Sequence, residues 1–233
     1  MQQVVSLSFY RFGSLSARLW AFAQMGLARR GMARTPGIGF WKLCGTGTGE
    51  GFTPGPNWSV YAILATWPDE ATARAATASG VFARYRARAI EDWTVMLRAT
   101  DARGHWSGET PFQTTDRIAD GPIAALTRAT IKPGIARKFW GRVPNISARI
   151  GQDPAVMFKI GIGEVPLLHQ VTFSIWPDVA AMNAFARTGP HAEAIRAVRD
   201  HGWFAEELYA RFILLSDHGS WEGRSPLTAK EPA

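Results

Sequence analysis

An α+β protein built from two tandem βαββαβ halves is predicted by three observations. Trp67-Pro68-Asp69 returns as Trp176-Pro177-Asp178. The flanks return with it: Gly47-Thr48-Gly49-Glu50 is echoed by Gly161-Ile162-Gly163-Glu164, and His105-Trp106-Ser107-Gly108 by Gly219-Ser220-Trp221-Glu222-Gly223. Between these landmarks, segments alternating apolar and polar residues take turns with segments of helical spacing, in the same order in both halves. Earlier still, Val4-Val5-Ser6-Leu7-Ser8 matches Ile123-Ala124-Ala125-Leu126-Thr127. A shared order this long points to two halves of one fold, and places a site where the halves stop matching.

The elements follow in order. Residues 3–12 alternate with aromatic and β-branched types and predict a strand. Residues 15–32 carry Leu15, Leu19, Phe22, Met25 and Met32 at near-helical spacing. Strands are expected at 37–45 and 57–67, joined by a Gly/Pro-rich connection over 45–56. Pro68 ends the second of these strands, and Asp69 caps a helix running to about residue 90 by accepting its orphan N–H bonds. A strand near 93–100 closes the half. The second half repeats this as strand 123–132, helix 135–149, strands 155–163 and 167–176, a helix from Asp178 to about 200, and strand 207–216. The division is 1–101 for the first repeat, 102–121 for a polar linker, 122–223 for the second repeat and 224–233 for a flexible tail. Each half is a ferredoxin-like unit. Two in one chain imply sheets that pair into a barrel flanked by helices, the single-chain form of a dimeric α+β barrel.

Composition narrows the function. In 233 residues, 46% are hydrophobic and 19% charged, which is globular. No run of about 18 apolar residues could span a bilayer, and the N-terminus lacks the basic start and long apolar run of a secretory signal. One cysteine, Cys44, excludes an internal disulfide and fits a reducing compartment. It lies on a middle strand and reads as a buried, inert thiol, with a thiolate ligand as the alternative. The net charge of +7 is spread along helices, without a nucleic-acid-binding module. That diffuse charge suits anionic lipid headgroups or an acidic protein partner, and equally an ordinary solvated surface.

Common enzyme signatures are absent: no nucleophile elbow, phosphate loop or dinucleotide fingerprint, and no zinc spacing. Histidine, arginine and abundant aromatics remain. His105 and His218 fall in polar loops, and His201 at a helix end suits the helix dipole. His169 is on a strand, opposite Val60 of the first half. His191 follows Thr188-Gly189-Pro190 at a helix start and joins Ile195 and Val198 on an apolar stripe. Laid along the first half, it falls on Phe82. A buried neutral imidazole there is either a satisfied core histidine or a proximal haem ligand, since one histidine can hold haem iron.

Arg34-Thr35-Pro36-Gly37-Ile38-Gly39-Phe40, the run from Gly45 to Pro54, and Phe158-Lys159-Ile160-Gly161-Ile162-Gly163-Glu164-Val165-Pro166 resemble the spheroidene monooxygenase (acyclic carotenoid 2-ketolase) family. So do the strand from His169 to Asp178, and Gly189-Pro190-His191 through Gly202-Trp203-Phe204. The resemblance covers about residues 3–223. It implies a monooxygenase that oxidises acyclic carotenoids such as spheroidene at C-2, to 2-hydroxy and then 2-keto products. It implies haem b, dioxygen and reduced ferredoxin as electron donor. With haem implied, His191 is the expected iron ligand, and Lys159, Arg128 and His169 are the candidate distal hydrogen-bond donors. A C40 substrate held in a membrane implies a cytoplasmic protein in peripheral contact with the inner or photosynthetic membrane; an acidic ferredoxin would be drawn to the same basic surface. A homo-oligomer is compatible with this reading. The rival readings are another haem enzyme on this barrel (a dehydratase, peroxidase or haem-degrading oxygenase) and a non-catalytic binder of haem or an apolar ligand.

Overall fold

The computed structural model describes residues 2–48, 55–116, 121–136, 140, 155–187 and 202–228. Strands β1 (Val4–Arg11), β2 (Trp41–Gly47), β3 (Pro56–Trp67) and β4 (Glu91–Gly104) come from the first half. The second half supplies β5 (Ile123–Ile131), β6 (Phe158–Gly163), β7 (His169–Trp176) and β8 (Phe204–Gly219). They form one closed antiparallel barrel in the order β1-β3-β2-β6-β7-β5-β8-β4. Closure removes every exposed sheet edge. Helices α1 (Leu15–Leu27), α2 (Arg29–Ala33), α3 (Glu70–Thr77) and α4 (Gly80–Arg86) lie outside the first half, and α5 (Val179–Arg187) outside the second.

Alternation along the strands sorts side chains between two layers. Val5, Leu7 and Phe9 of β1 point into the barrel with Val60, Ala62 and Leu64 of β3 and Val171, Phe173 and Ile175 of β7. Val4, Tyr10 and Phe12 point outward and join Tyr61, Ile63, Trp67, Phe82 and Tyr85 in a second core beneath the first-half helices. The halves meet along two seams of unequal length. β4 and β8 pair from Trp93↔Gly219 to Gly104↔Leu208, whereas β2 and β6 share Gly45↔Gly163 and Thr46↔Ile162. Glycine is required at both ends of the long seam. Gly104 (φ 91°) and Gly219 (φ 83°) sit in the left-handed region, and a Cβ on either would collide with the carbonyl oxygen of Glu207 or Asp92.

Each half ends its last strand in the same tight turn. Ser107 and Gly108 adopt φ 57° and 78°, and Glu222 and Gly223 adopt φ 59° and 80°, as a two-residue hairpin turn with positive φ at both centres requires. The turns bridge Trp106 to Glu109 and Trp221 to Arg224, and both tryptophans are buried against the barrel core. The repeated aspartates cap helices as expected. Asp69 Oδ1 accepts from the Thr72 N–H at 2.8 Å, and Asp178 Oδ1 from the Ala181 N–H at 2.7 Å. Those backbone bonds hold the Asp69 carboxyl below its ordinary range.

Several expected boundaries move. The helix over 15–32 is two helices meeting at Ala28, and the helix from Asp69 breaks before Gly80, whose φ is 57°. β4 runs on to Gly104, so the expected linker begins inside a strand. Phe112 of that linker is buried and meets Phe212 edge-on at 5.1 Å. The expected tail is tied down at least to Thr228: Leu227 packs on the barrel core, and Thr228 Oγ1 donates to the Ser225 carbonyl at 2.6 Å. The expected helices over 135–149 and 178–200 fall largely outside the described residues. Among the described residues, no helix is long and apolar enough to cross a membrane.

Candidate functional site

The two ends of the barrel are built differently. One is aromatic. Phe9 lies 5.6 Å from Trp93, 5.5 Å from Phe158, 6.1 Å from Phe173 and 5.9 Å from Trp221, centroid to centroid. At the other end the inward positions are polar. Lys42 shares the inward face of β2 with Cys44, Arg128 that of β5 with Leu126, His169 that of β7 with Val171, and Glu206 that of β8 with Leu208. The registers Val4↔Trp67 and Ile123↔Trp176 set the halves in correspondence. On that frame Arg128 stands for Phe9 and His169 for Val60, so this end is where the halves differ.

Burial forces these polar groups to find one another. Arg128 is 2% exposed. Its guanidinium pairs with the Glu206 carboxylate and lies 5.8 Å from the centre of the Trp106 ring. Glu206 also accepts the N–H groups of Ser107 at 2.9 Å and Gly108 at 2.7 Å. Burial pushes the Glu206 carboxyl up, but those N–H groups and Arg128 outweigh it and hold its pKa below 4.5. Glu164, just after β6, accepts from the Trp106 indole at 2.7 Å and pairs with Lys42 at 3.0 Å. Lys42 in turn donates to Ser107 Oγ at 2.7 Å. The cluster joins Lys42, Trp106, Ser107 and Gly108 of the first half to Arg128, Glu164, His169 and Glu206 of the second.

His169 is the neutral member. Burial, and then the Arg128 and Lys42 charges, lower its pKa against the opposing pull of Glu164. Its Nδ1 stands 3.7 Å from Glu164 Oε2, beyond hydrogen-bond reach. That nitrogen and Arg128 Nε are buried without a hydrogen-bond partner among the described residues. Cys44 lies deeper in the barrel; burial pushes its thiol far up, and the Glu164 carboxylate adds to the effect. A thiol so placed is inert.

Lys159 is elsewhere. It alternates with the inward Phe158 and Ile160, so it belongs to the outer face of the sheet. Strand correspondence exposes a difference there too. In the first half that outer layer is filled by Tyr10, Trp41, Leu43, Tyr61 and Ile63. Their counterparts in the second half are Ala129, Lys159, Gly161, Gln170 and Thr172. Thr127, the counterpart of the fully buried Ser8, is exposed. At these described positions the outward strand residues of the second half are therefore smaller or more polar than those of the first. Arg128 and His169 are brought together at the barrel end, and Lys159 is separated from them by the sheet. His191 lies outside the described residues. At the aromatic end, a cavity of about 290 Å³ opens beside Met157, Phe158, Pro177 and Trp221.

Lys42, Glu164 and Glu206 are partners that the sequence reading missed. Strand parity carried the signal: Lys42 is two residues before Cys44, and Glu206 two before Leu208. The doubled Gly-x-Gly-Glu motif hid Glu164 by setting it against Glu50, whereas strand pairing sets it against Thr46.

No protein-family model matches the chain. Spheroidene monooxygenase of Rhodobacter capsulatus is 56% identical over 232 residues, covering 97% of this chain and 96% of that protein. Spheroidene monooxygenase of Cereibacter sphaeroides is 52% identical over 229 residues, covering 97% of this chain and 71% of that protein. Among solved structures, an aldoxime dehydratase superposes with a TM-score of 0.60 at 11% identity, covering 91% of this chain and 82% of that one. That likeness is one of fold alone.

Proposed function

Because this chain belongs to the spheroidene monooxygenase family, we propose that it oxidises an acyclic carotenoid at C-2, first to the alcohol and then to the ketone. Dioxygen is the oxidant, reduced ferredoxin the electron donor and haem b the cofactor. Each round takes one dioxygen, two electrons and two protons, places one oxygen atom on C-2 and releases the other as water. A second hydroxylation at the same carbon gives a geminal diol, which loses water to leave the ketone.

The observation that carries the cofactor reading is the thin outer face of the second half. The reading sets a planar macrocycle against Ala129, Gly161, Gln170 and Thr172, which are smaller or more polar than their first-half counterparts Tyr10, Leu43, Tyr61 and Ile63. His191 is the residue proposed to hold the haem iron, and haem, when bound, would supply the oxygen activation that hydroxylation of a C–H bond by dioxygen requires. Lys159 brings a cation and hydrogen-bond donor to this face. Arg128 and His169 stand on the inner side of the same sheet and act as positioning residues: their ion-paired and neutral groups fix β5 and β7, whose outer faces form the wall. The two halves are proposed as copies of one unit, a reading supported by their matching registers and matching tryptophan turns.

We place the work on the cytoplasmic side in peripheral contact with the membrane; the substrate's apolarity supports the contact, and the net charge of +7 suits an acidic ferredoxin. The test is an absorption spectrum of purified protein with added haemin. A Soret band in the wild type that is lost in His191→Ala is expected; an unchanged band in the variant removes His191 from the site.

A further inference from the structure

Helix α1 is apolar on two opposite faces. Ala17, Trp20, Ala21 and Met25 turn inward onto the first-half core. Leu15, Leu19 and Phe22 follow at one-turn spacing on the far side and are 72%, 56% and 53% exposed. Leu27 ends the helix at 73% exposure. Two neighbours extend the patch. Trp58, 47% exposed, packs its ring 4.8 Å from that of Phe22, and Ile90, 70% exposed, lies against Gly13 just before the helix. A helix apolar all round is ordinarily buried on all sides, and contiguous apolar patches on a surface mark interaction sites.

The charged residues on the two helices of the patch are all basic. Arg18 lies on α1, and Arg29, Arg30 and Arg34 are on or beside α2. The Glu91 carboxylate beside Ile90 is paired with Arg11 at 3.2 Å, so it adds no free negative charge there. Arg88 covers the ring of the inward-facing Trp20 at 4.5 Å. An isologous dimer over this patch would set these arginines against themselves. An anionic lipid surface complements both features, taking the guanidinium groups at its headgroups and the aliphatic and aromatic side chains at its acyl boundary.

We propose that the outer face of α1, with Leu15, Leu19 and Phe22, together with the exposed Leu27 at its end, Trp58, Ile90 and the arginines of α1 and α2, is a docking surface for anionic membrane lipid. It rests on the peripheral membrane contact proposed above and names the surface that makes it, on the first half. The face lies flat on the bilayer; nothing in it spans.

Flotation with vesicles of phosphatidylglycerol and phosphatidylcholine tests this, with phosphatidylcholine alone as control. The wild type is expected to float with the anionic vesicles, less in high salt, and poorly with the neutral ones. Leu19→Asp with Leu27→Asp changes exposed positions and is expected to weaken partition by at least about tenfold with an unchanged circular dichroism spectrum. Arg29→Glu with Arg30→Glu, which leaves the apolar stripe intact, is expected to abolish the preference for phosphatidylglycerol. A wild type that does not float, or a leucine variant that floats like wild type, overturns the proposal. So does a leucine variant that turns a dimer into a monomer on size exclusion, because the patch then covers a second copy. Flotation reads docking without turnover, so a chain that binds vesicles yet oxidises no carotenoid overturns the oxidation reading and leaves this one standing.

Discussion

Arg128 replaces an aromatic side chain at the centre of a barrel end, and the cost of that replacement shapes its surroundings. A guanidinium 2% exposed must be neutralised and hydrogen-bonded, or its desolvation penalty stands uncompensated. Glu206 supplies the countercharge and is itself held by two backbone N–H groups from the Trp106 turn. Removing the carboxylate leaves the cation stranded. Glu206→Ala is therefore expected to cost about 3 kcal/mol in urea denaturation at neutral pH, the lower end of the range for broken buried pairs because Glu206 keeps some exposure. The folded pKa of Glu206 lies below its ordinary 4.5. The folded state thus keeps this carboxylate charged where the unfolded chain has protonated it. Its contribution is whole above about pH 4.5 and is lost as acid titrates the folded carboxyl, so the gap between wild type and variant should narrow in acid. A gap that stays constant from neutral pH down through that range contradicts this account of the pair.

Strands were legible from alternation, because one residue's slip would turn every apolar side chain to the wrong layer. Helices were legible only in part. Leu15, Leu19, Phe22, Met25 and Met32 read as one stripe, but the structure divides them: Met25 and Met32 face the core, and Leu15, Leu19 and Phe22 face outward. Spacing cannot sort two apolar faces on one helix, since either satisfies the helical period. The break before Gly80 was hidden for another reason: alanine-rich flanks favour a continuous helix, and only the backbone shows the positive φ. The outer faces of β5 and β7 carry the element-scale prediction. Ala129→Tyr with Thr172→Ile gives the second half the Tyr10 and Ile63 side chains of the first. Haem titration of this variant should show affinity weakened by at least about tenfold, since the added side chains occupy the wall, while strand content by circular dichroism is retained. Unchanged affinity would move the cofactor off this face.

At the scale of the molecule, the barrel is nearly symmetric in its backbone and asymmetric in what fills it. The registers on either side match, and the seams close both edges. The first half presents an apolar, basic outer face; the second presents a thin wall of small and polar residues. The doubled Trp-Pro-Asp landmark made the fold and the repeat order readable, and it singled out His169 as a departure. Arg128 as the replacement for Phe9, and the split that puts Lys159 behind the sheet, needed strand pairing across sequence-distant elements, which no local pattern encodes. The two proposals assign docking to one half and oxidation to the other. The most direct test is turnover of spheroidene by the haem-loaded chain with reduced ferredoxin under isotopically labelled dioxygen, followed by mass spectrometry. The account predicts a 2-hydroxy product carrying one labelled oxygen atom, succeeded by the 2-keto product; an alcohol that takes its oxygen from water, or recovery of unaltered spheroidene, would contradict it.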